Sequence, residues 1–283
     1  MSVAMAAFLF NDTIVKLVSA SMPVHEIIFL RGLFATIMLA ALSYLIVKAI
    51  NFKHFKEPIM WLRAFCEVAA TYTFITGLQF IPIANAAAIL AALPLVVTLG
   101  DALVFKSPVG WRRWSAILVG FVGVLIIVRP GLEGFSVYTL YIIACVGFAA
   151  VRDLITRSTP SEIPSPLLAV ATSIAITASG GLVTSYFGVL TAISWATWGY
   201  LFIASLFLVC AYYFIIMAVR TGEVSFVSPF RYTALLWAFL FGFLVFGDPL
   251  DWYTLIGSTI IVATGIYTIY REQLRARQAE KNI

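Results

Sequence analysis

The chain is short of charge and of titratable groups. Aspartate, glutamate, lysine and arginine make up 11% of its 283 residues, and there are two histidines. A soluble globular domain carries about 25% charged residues. His25 and His54 stand apart from each other, with no H-x-x-x-H pair for zinc, no G-x-S-x-G elbow and no P-loop. The expectation is therefore no enzyme, no metal and no cofactor. Cysteine is also scarce and odd in number. Cys66, Cys145 and Cys210 all lie within apolar runs, as packing residues rather than a disulfide framework. No polar stretch exceeds the tail from Arg271 to Ile283, which is too short to bury a core. A basic n-region is missing from the N-terminus, and its apolar run contains Asn11, Asp12 and Lys16, so no cleavable leader is expected. The net charge of +5 comes from loop lysines and arginines and requires no nucleic-acid partner.

What the chain has is hydrophobic length. It is 62% hydrophobic, with mean hydropathy +1.02. A spanning helix needs roughly 20 apolar residues, because hydrocarbon offers backbone groups no partner. About ten runs qualify: Ser2–Ser19, Glu26–Val47, Met60–Leu78, Ala84–Phe105, Arg113–Val128, Ser136–Thr156, Pro166–Phe187, Thr197–Val219, Val224–Phe246 and Trp252–Tyr270. Turn residues punctuate them, among them Pro23, Pro58, Pro82, Pro108, Pro130-Gly131 and Asp248-Pro249. Trp61, Trp111, Trp114, Trp195, Trp198 and Trp252 fall at run ends, as an interfacial belt requires.

Charge sets the orientation. Lys48, Lys53, Lys56, Arg63, Lys106, Arg112, Arg113, Arg157, Arg220 and the tail residues Arg271, Arg275, Arg277 and Lys281 share one side if there are ten spans. Arg129 and Lys16 lie toward the other. The positive-inside rule then puts both termini in the cytoplasm.

The segment Phe74–Arg129 recurs in degraded form near the end of the chain. A shift of 141 residues carries Ala70 onto Ala211, Tyr72 onto Tyr213, Phe105 onto Phe246, Pro108 onto Pro249 and Trp111 onto Trp252. The same shift carries Asp12 onto Asp153, Lys16 onto Arg157 and Pro23 onto Pro164, and one slipped residue brings Gly123 onto Gly265. Two copies of one unit are present. Five spans per copy is an odd number, so the copies enter the membrane from opposite sides. The expected architecture is all-α integral membrane, with about ten transmembrane helices in two inverted five-helix repeats, residues 1–130 and 136–271, and a cytoplasmic polar tail, 272–283.

Several features together resemble one family. They are the five-plus-five repeat, the short loops, the segment PIANAAAILAALPLVVTLGDALVFKSP and the W-x8-G-x2-G helix after it. They are similar to the EamA branch of the drug/metabolite transporter superfamily. Lys106 departs from the acidic residue usual before that proline, whereas Gly247, Asp248 and Pro249 come closer. The resemblance implies a secondary transporter of small organic solutes. The opening NDTIVKLVSASMPVHEIIFLRGL resembles bacterial riboflavin-uptake members, which makes riboflavin the expected substrate. Amino acids, amines and nucleoside-like metabolites, in either direction, are the alternatives; an integral membrane enzyme is a distant one. The expected partners are the solute and the lipid of a bacterial inner membrane, around a monomer or homodimer.

An ionisable group at the bilayer centre costs roughly 2.5–3.5 kcal/mol on insertion scales, so each such residue must face a partner or a wet cavity. Asp12 with Lys16, and Asp153 with Arg157, are i,i+4 pairs at equivalent positions, expected to pair within their helices or line the pathway. Arg63 and Glu67 have the same spacing, Glu67 being the deeper. Arg31 offers a guanidinium to a solute. Arg231, two residues after Pro229, is the leading single ligand candidate, together with Tyr232, because a broken helix exposes polar backbone. Tyr72 and Tyr213 are candidates to stack on a planar solute.

Overall fold

The structure is a computed structural model describing residues 1–47, 57–106, 110–131, 135–159, 163, 165–188, 193–221, 227–249 and 251–281. Among these residues the regular structure is entirely helical. The elements are α1 (Ser2–Ser19), α2 (Val24–Val47), α3 (Pro58–Phe80), α4 (Ile83–Leu90), α5 (Leu93–Val104), α6 (Trp111–Val128), α7 (Tyr138–Arg157), α8 (Ser165–Phe187), α9 (Trp195–Thr221), α10 (Thr233–Phe241) and α11 (Trp252–Lys281). A 3-10 turn, Ser228–Tyr232, leads into α10, and a π-helical turn, Gly242–Phe246, follows it. Among the described residues nine helices or helix pairs are long and apolar enough to cross a membrane. The tenth, α3, has 23 residues but carries Arg63 and Glu67.

Two expected spans and the tail differ in detail. The run Ala84–Phe105 is two helices, α4 and α5, stacked through Ala91 and Ala92. Pro94 in the first turn of α5 has no N–H for the carbonyl one turn back. The ninth span opens as a 3-10 turn at Pro229, as the proline requires, and closes in the π-helical turn. The tail is not separate: α11 runs on to Lys281, because Glu, Gln, Leu, Arg and Ala are all good helix formers.

The sequence shift is visible as geometry. Thr36 of α2 and Thr177 of α8 are 141 positions apart, and their hydroxyls meet at 2.9 Å. Two equivalent residues in mutual contact lie on the axis that relates the repeats. Around them, Gly32 packs against Thr177 while Ser173 bonds Thr36 at 2.8 Å; Gly32 and Ser173 are also equivalent. The register is antiparallel, since Phe29 meets Gly180 whereas Gly32 meets Thr177. A twofold axis joining antiparallel helices runs perpendicular to them, and both threonines sit near mid-helix. The axis therefore lies in the membrane plane, and the repeat is inverted.

The other helix pairings obey the same operation. α2 packs on α8 and α6 on α11, each a pair of equivalents; α3–α7 is mirrored by α9–α1, and α3–α8 by α9–α2. Each helix of one repeat is thus embedded in the other. Large apolar side chains such as Leu118, Val122, Leu125, Leu182, Leu236, Phe243 and Ile256 point outward, as lipid contact demands. Exposed Trp61, Trp111, Trp195 and Trp252 mark helix ends. Among the described residues three buried apolar clusters lie inside: one centred on Leu78, Ile83, Ile89 and Ile142, one on Val15, Ile27, Ile28 and Ile75, and a smaller one on Met60, Ile163, Leu167 and Leu168.

The α6–α11 pair touches backbone to backbone. A Cβ at Gly123 would lie 2.9 Å from the Gly257 carbonyl, and one at Gly257 would press on the Gly123 carbonyl. Small residues at such crossings let helices associate in lipid. Gly123→Leu should therefore destabilise the fold by about 1–3 kcal/mol or more through overpacking. Thermal unfolding of the purified protein in detergent checks this. Gly147→Ala, where an added methyl meets open space, should leave the midpoint unchanged or raised.

Candidate transport site

Two dipeptides occupy equivalent positions in the two repeats. Asn11-Asp12 lies on α1 and Arg152-Asp153 on α7, again 141 positions apart. Within each, the first residue donates to the second: Asn11 Nδ2 to Asp12 Oδ1 at 2.9 Å, and Arg152 Nε to Asp153 Oδ1 at 2.9 Å. Each then recruits a charge from a neighbouring helix. On the α1 side, Arg31 of α2 donates from Nη1 to Asn11 Oδ1 at 3.0 Å, and Asp12 lies within coulombic range of Arg31. On the α7 side, Arg152 Nη1 forks onto both oxygens of Glu67 from α3, at 3.0 and 2.9 Å. One guanidinium thus holds two carboxylates, one from each repeat.

These groups are enclosed among the helices, and yet Asp12, Arg31, Glu67, Arg152 and Asp153 all keep some accessible surface. Charges held within a membrane bundle need partners or water there. Arg31 has spare capacity there, because its Nε is buried without a hydrogen-bond partner. Tyr212 of α9 sits between the two halves, within coulombic range of Glu67, Arg152, Arg63 and Arg31. Phe8 meets its ring edge-on at 5.6 Å. The cluster thus offers donors, acceptors and a ring near one another.

The three intrahelical pairs expected from i,i+4 spacing do not form; each charge finds its partner on another helix. Lys16 reaches past Asp12 to donate to the Ile81 carbonyl, an orphan acceptor just past the α3 terminus. Its ammonium stands 5.2 Å from the centre of the Phe246 ring. Arg157 pairs with Asp101 instead of Asp153, and stacks at 5.4 Å on Phe105. Arg63 bonds Thr156 at 2.8 Å and Thr172 at 2.6 Å, leaving Glu67 to Arg152. The reason is reach. Exposed i,i+4 pairs contribute only about 0.2–0.5 kcal/mol, so a long side chain in a bundle goes where an unmet acceptor or a buried carboxylate offers more.

The other candidates scatter. Arg231 is exposed in the 3-10 turn at the start of the ninth span. Tyr232 is buried, with its hydroxyl against Gly265 of α11, a packing position away from the charged cluster. Tyr213 is 40% exposed on α9 and meets Phe214 edge-on, so the neighbouring Tyr212 is the inward ring. Tyr72 packs beside the Val15–Ile75 apolar cluster. Of the proposed binding residues, the structure brings together Arg31, Glu67, Asp12 and Asp153, and adds Asn11, Arg152 and Tyr212. The signal for Asn11 was its equivalence to Arg152.

The family model for the EamA-like transporter family matches this chain twice, over residues 1–129 and 136–271. An S-adenosylmethionine uptake transporter of Rickettsia conorii is 23% identical over 93% of this chain and 88% of its own. A riboflavin transporter of Rhizobium johnstonii is 29% identical over 72% and 68%. A pseudopaline exporter of Pseudomonas aeruginosa is 26% identical over 93% and 92%. One solved crystal structure superposes with a TM-score of 0.67 at 16% identity, covering 96% of this chain and 97% of that one, which speaks to the fold. With both halves matched, a mirrored helical bundle and a charged interior at the axis, the chain belongs to the EamA-like transporter family.

Proposed function

We propose that the chain carries a small organic metabolite across the bacterial inner membrane by alternating access, with the solute held between the Asn11-Asp12 and Arg152-Asp153 halves of the site. The observation that carries this reading is the enclosed charged cluster built by both repeats across the axis. Such a position is where inverted-repeat carriers bind their cargo. Both termini are cytoplasmic in this reading, residues 1–130 and 136–271 are the two moving units, and Arg275, Arg277 and Lys281 lie in the cytoplasm.

Riboflavin uptake is the substrate the site supports best. A flavin ring presents an imide edge, carbonyl beside N–H. Arg31 supplies an unused guanidinium N–H and Asp12 an acceptor carboxylate, held side by side through Asn11. Tyr212 and Phe8 provide aromatic surface. Relatives called riboflavin transporters, from Rhizobium johnstonii and Vibrio cholerae, support the assignment. A second reading, S-adenosylmethionine uptake, is favoured by relatives of that name that match 93% of the chain. The same guanidinium and carboxylate suit the carboxylate and ammonium of a zwitterion.

Expression in a bacterium unable to make or import riboflavin should restore growth on limiting riboflavin. Failure there with uptake of labelled S-adenosylmethionine selects the second reading, and neither activity sinks both. Arg31→Lys keeps the charge and loses the planar fork. It should weaken affinity by about 1.5–3 kcal/mol, the worth of a hydrogen bond to a charged group, seen as a raised KM at normal membrane expression. For topology, reporter fusions after Lys281 and within residues 51–57 should both read cytoplasmic, and a periplasmic signal from either overturns the orientation.

A further inference from the structure

Lys16 and Arg157 are equivalent by sequence, yet neither belongs to the charged cluster. We propose that they are paired gate latches, one at each face of the bundle, both closed in this structure; the proposal rests on the transporter reading above. Spans alternate in direction, so α1 ends on the face opposite the one where it began, and Lys16 lies toward that second face. α7 is the sixth span and ends on the first face, where Arg157 stands. The Lys16 contacts agree, since Ile81 follows the third span and Phe246 ends the ninth. So do those of Arg157, because Asp101 and Phe105 end the fourth.

The ring contacts of the two sets are copies of each other, while the hydrogen-bond partners differ: Lys16 donates to the Ile81 carbonyl of its own repeat and Arg157 pairs with Asp101 of the other. Lys16 of the first repeat stands over Phe246 of the second, with Asp248 in coulombic range. Arg157 of the second repeat stands over Phe105 of the first, paired with Asp101. Phe105 and Phe246 are themselves equivalent by the 141-residue shift. Each ring contact thus ties the first helix of one repeat to the fourth span of the other. Those joints, α1 with α10 and α7 with α5, must part in turn if a site at the axis is to open first to one face and then to the other. The attachments suit reversal. A cation over a ring and a partly exposed ion pair are weak contacts that water can replace, and Arg157 is 61% exposed. The fourth spans that carry the rings are the two interrupted ones, broken at Pro94 and at the 3-10 turn of Pro229, and interrupted helices supply places to bend.

Cys145 serves as the reporter. It is buried and lies within coulombic range of Glu67, Arg152 and Asp12, so a thiol reagent reaches it only through an open gate. In a Cys66→Ala, Cys210→Ala background, a membrane-impermeant methanethiosulfonate is applied to right-side-out and to inverted vesicles. The parent should label slowly from both faces. Lys16→Ala should speed labelling roughly tenfold from the second face alone, and Arg157→Ala by as much from the first face alone, by shifting the population toward an open state. Phe246→Leu and Phe105→Leu should repeat the two effects, and they decide the matter if an alanine variant fails to insert. Acceleration from both faces by one variant, from the same face by both, or from neither overturns the proposal. No solute enters this assay, so failure of the substrate assignment leaves its outcome intact.

Discussion

A charge inside a lipid-bound bundle must be answered by another charge or by trapped water, and the interior is arranged around that demand. Arg152 shows it most plainly. Its guanidinium is shared between Glu67 and Asp153, so removing it would leave two carboxylates unanswered where pairing is needed most. The bond to Glu67 crosses from one repeat to the other, as does the α3–α7 packing around it. The element that makes the site tolerable in the membrane is the same one that joins the halves.

The inverted duplication gives the architecture an economy of contacts. One set of helix faces is used twice, so whatever lets α3 fit α7 also lets α9 fit α1. The copies have nonetheless diverged where chemistry is concerned. Asn11 is neutral and Arg152 is not, and the neighbour that satisfies the first is a cation from α2 whereas the neighbour that satisfies the second is an anion from α3. The helix pairings have kept their symmetry, and within the cluster Asp12 and Asp153 still match while Asn11 and Arg152 do not.

Much of the fold was readable from the chain because hydrocarbon imposes a one-dimensional rule: long apolar runs become spans, and charged loops report sides. The repeat was legible at Phe105 and Phe246, or Lys16 and Arg157, for the same reason, since equivalent residues sit at equivalent depths. Partners across helices were not legible. Lys16 could be placed on α1, but nothing local told it to prefer the Ile81 carbonyl over Asp12. Which of Tyr212 and Tyr213 turns toward the charged cluster was not legible either. Consecutive residues differ by about 100° around a helix, and α9 is apolar all round, so it carries no stripe to fix its phase. The sequence marks the break at Pro229 but not its depth: the 3-10 turn opens the span, and Arg231 is exposed there.

The hydroxyl contact between Thr36 and Thr177 has a particular standing in a molecule of this kind. In the carrier proposed above, a residue off the axis exchanges its environment for its counterpart's as the bundle opens to one side and then to the other. Residues at the axis touch their own counterparts, as Thr36 touches Thr177, so they would keep the same partner in either orientation of the repeats. Matched alterations at Thr36 and Thr177 would therefore leave the two orientations balanced, whereas an alteration at Asn11 or Arg152 alone would not. The divergence between Asn11 and Arg152 is thus also what would let the two orientations of the proposed carrier differ in energy.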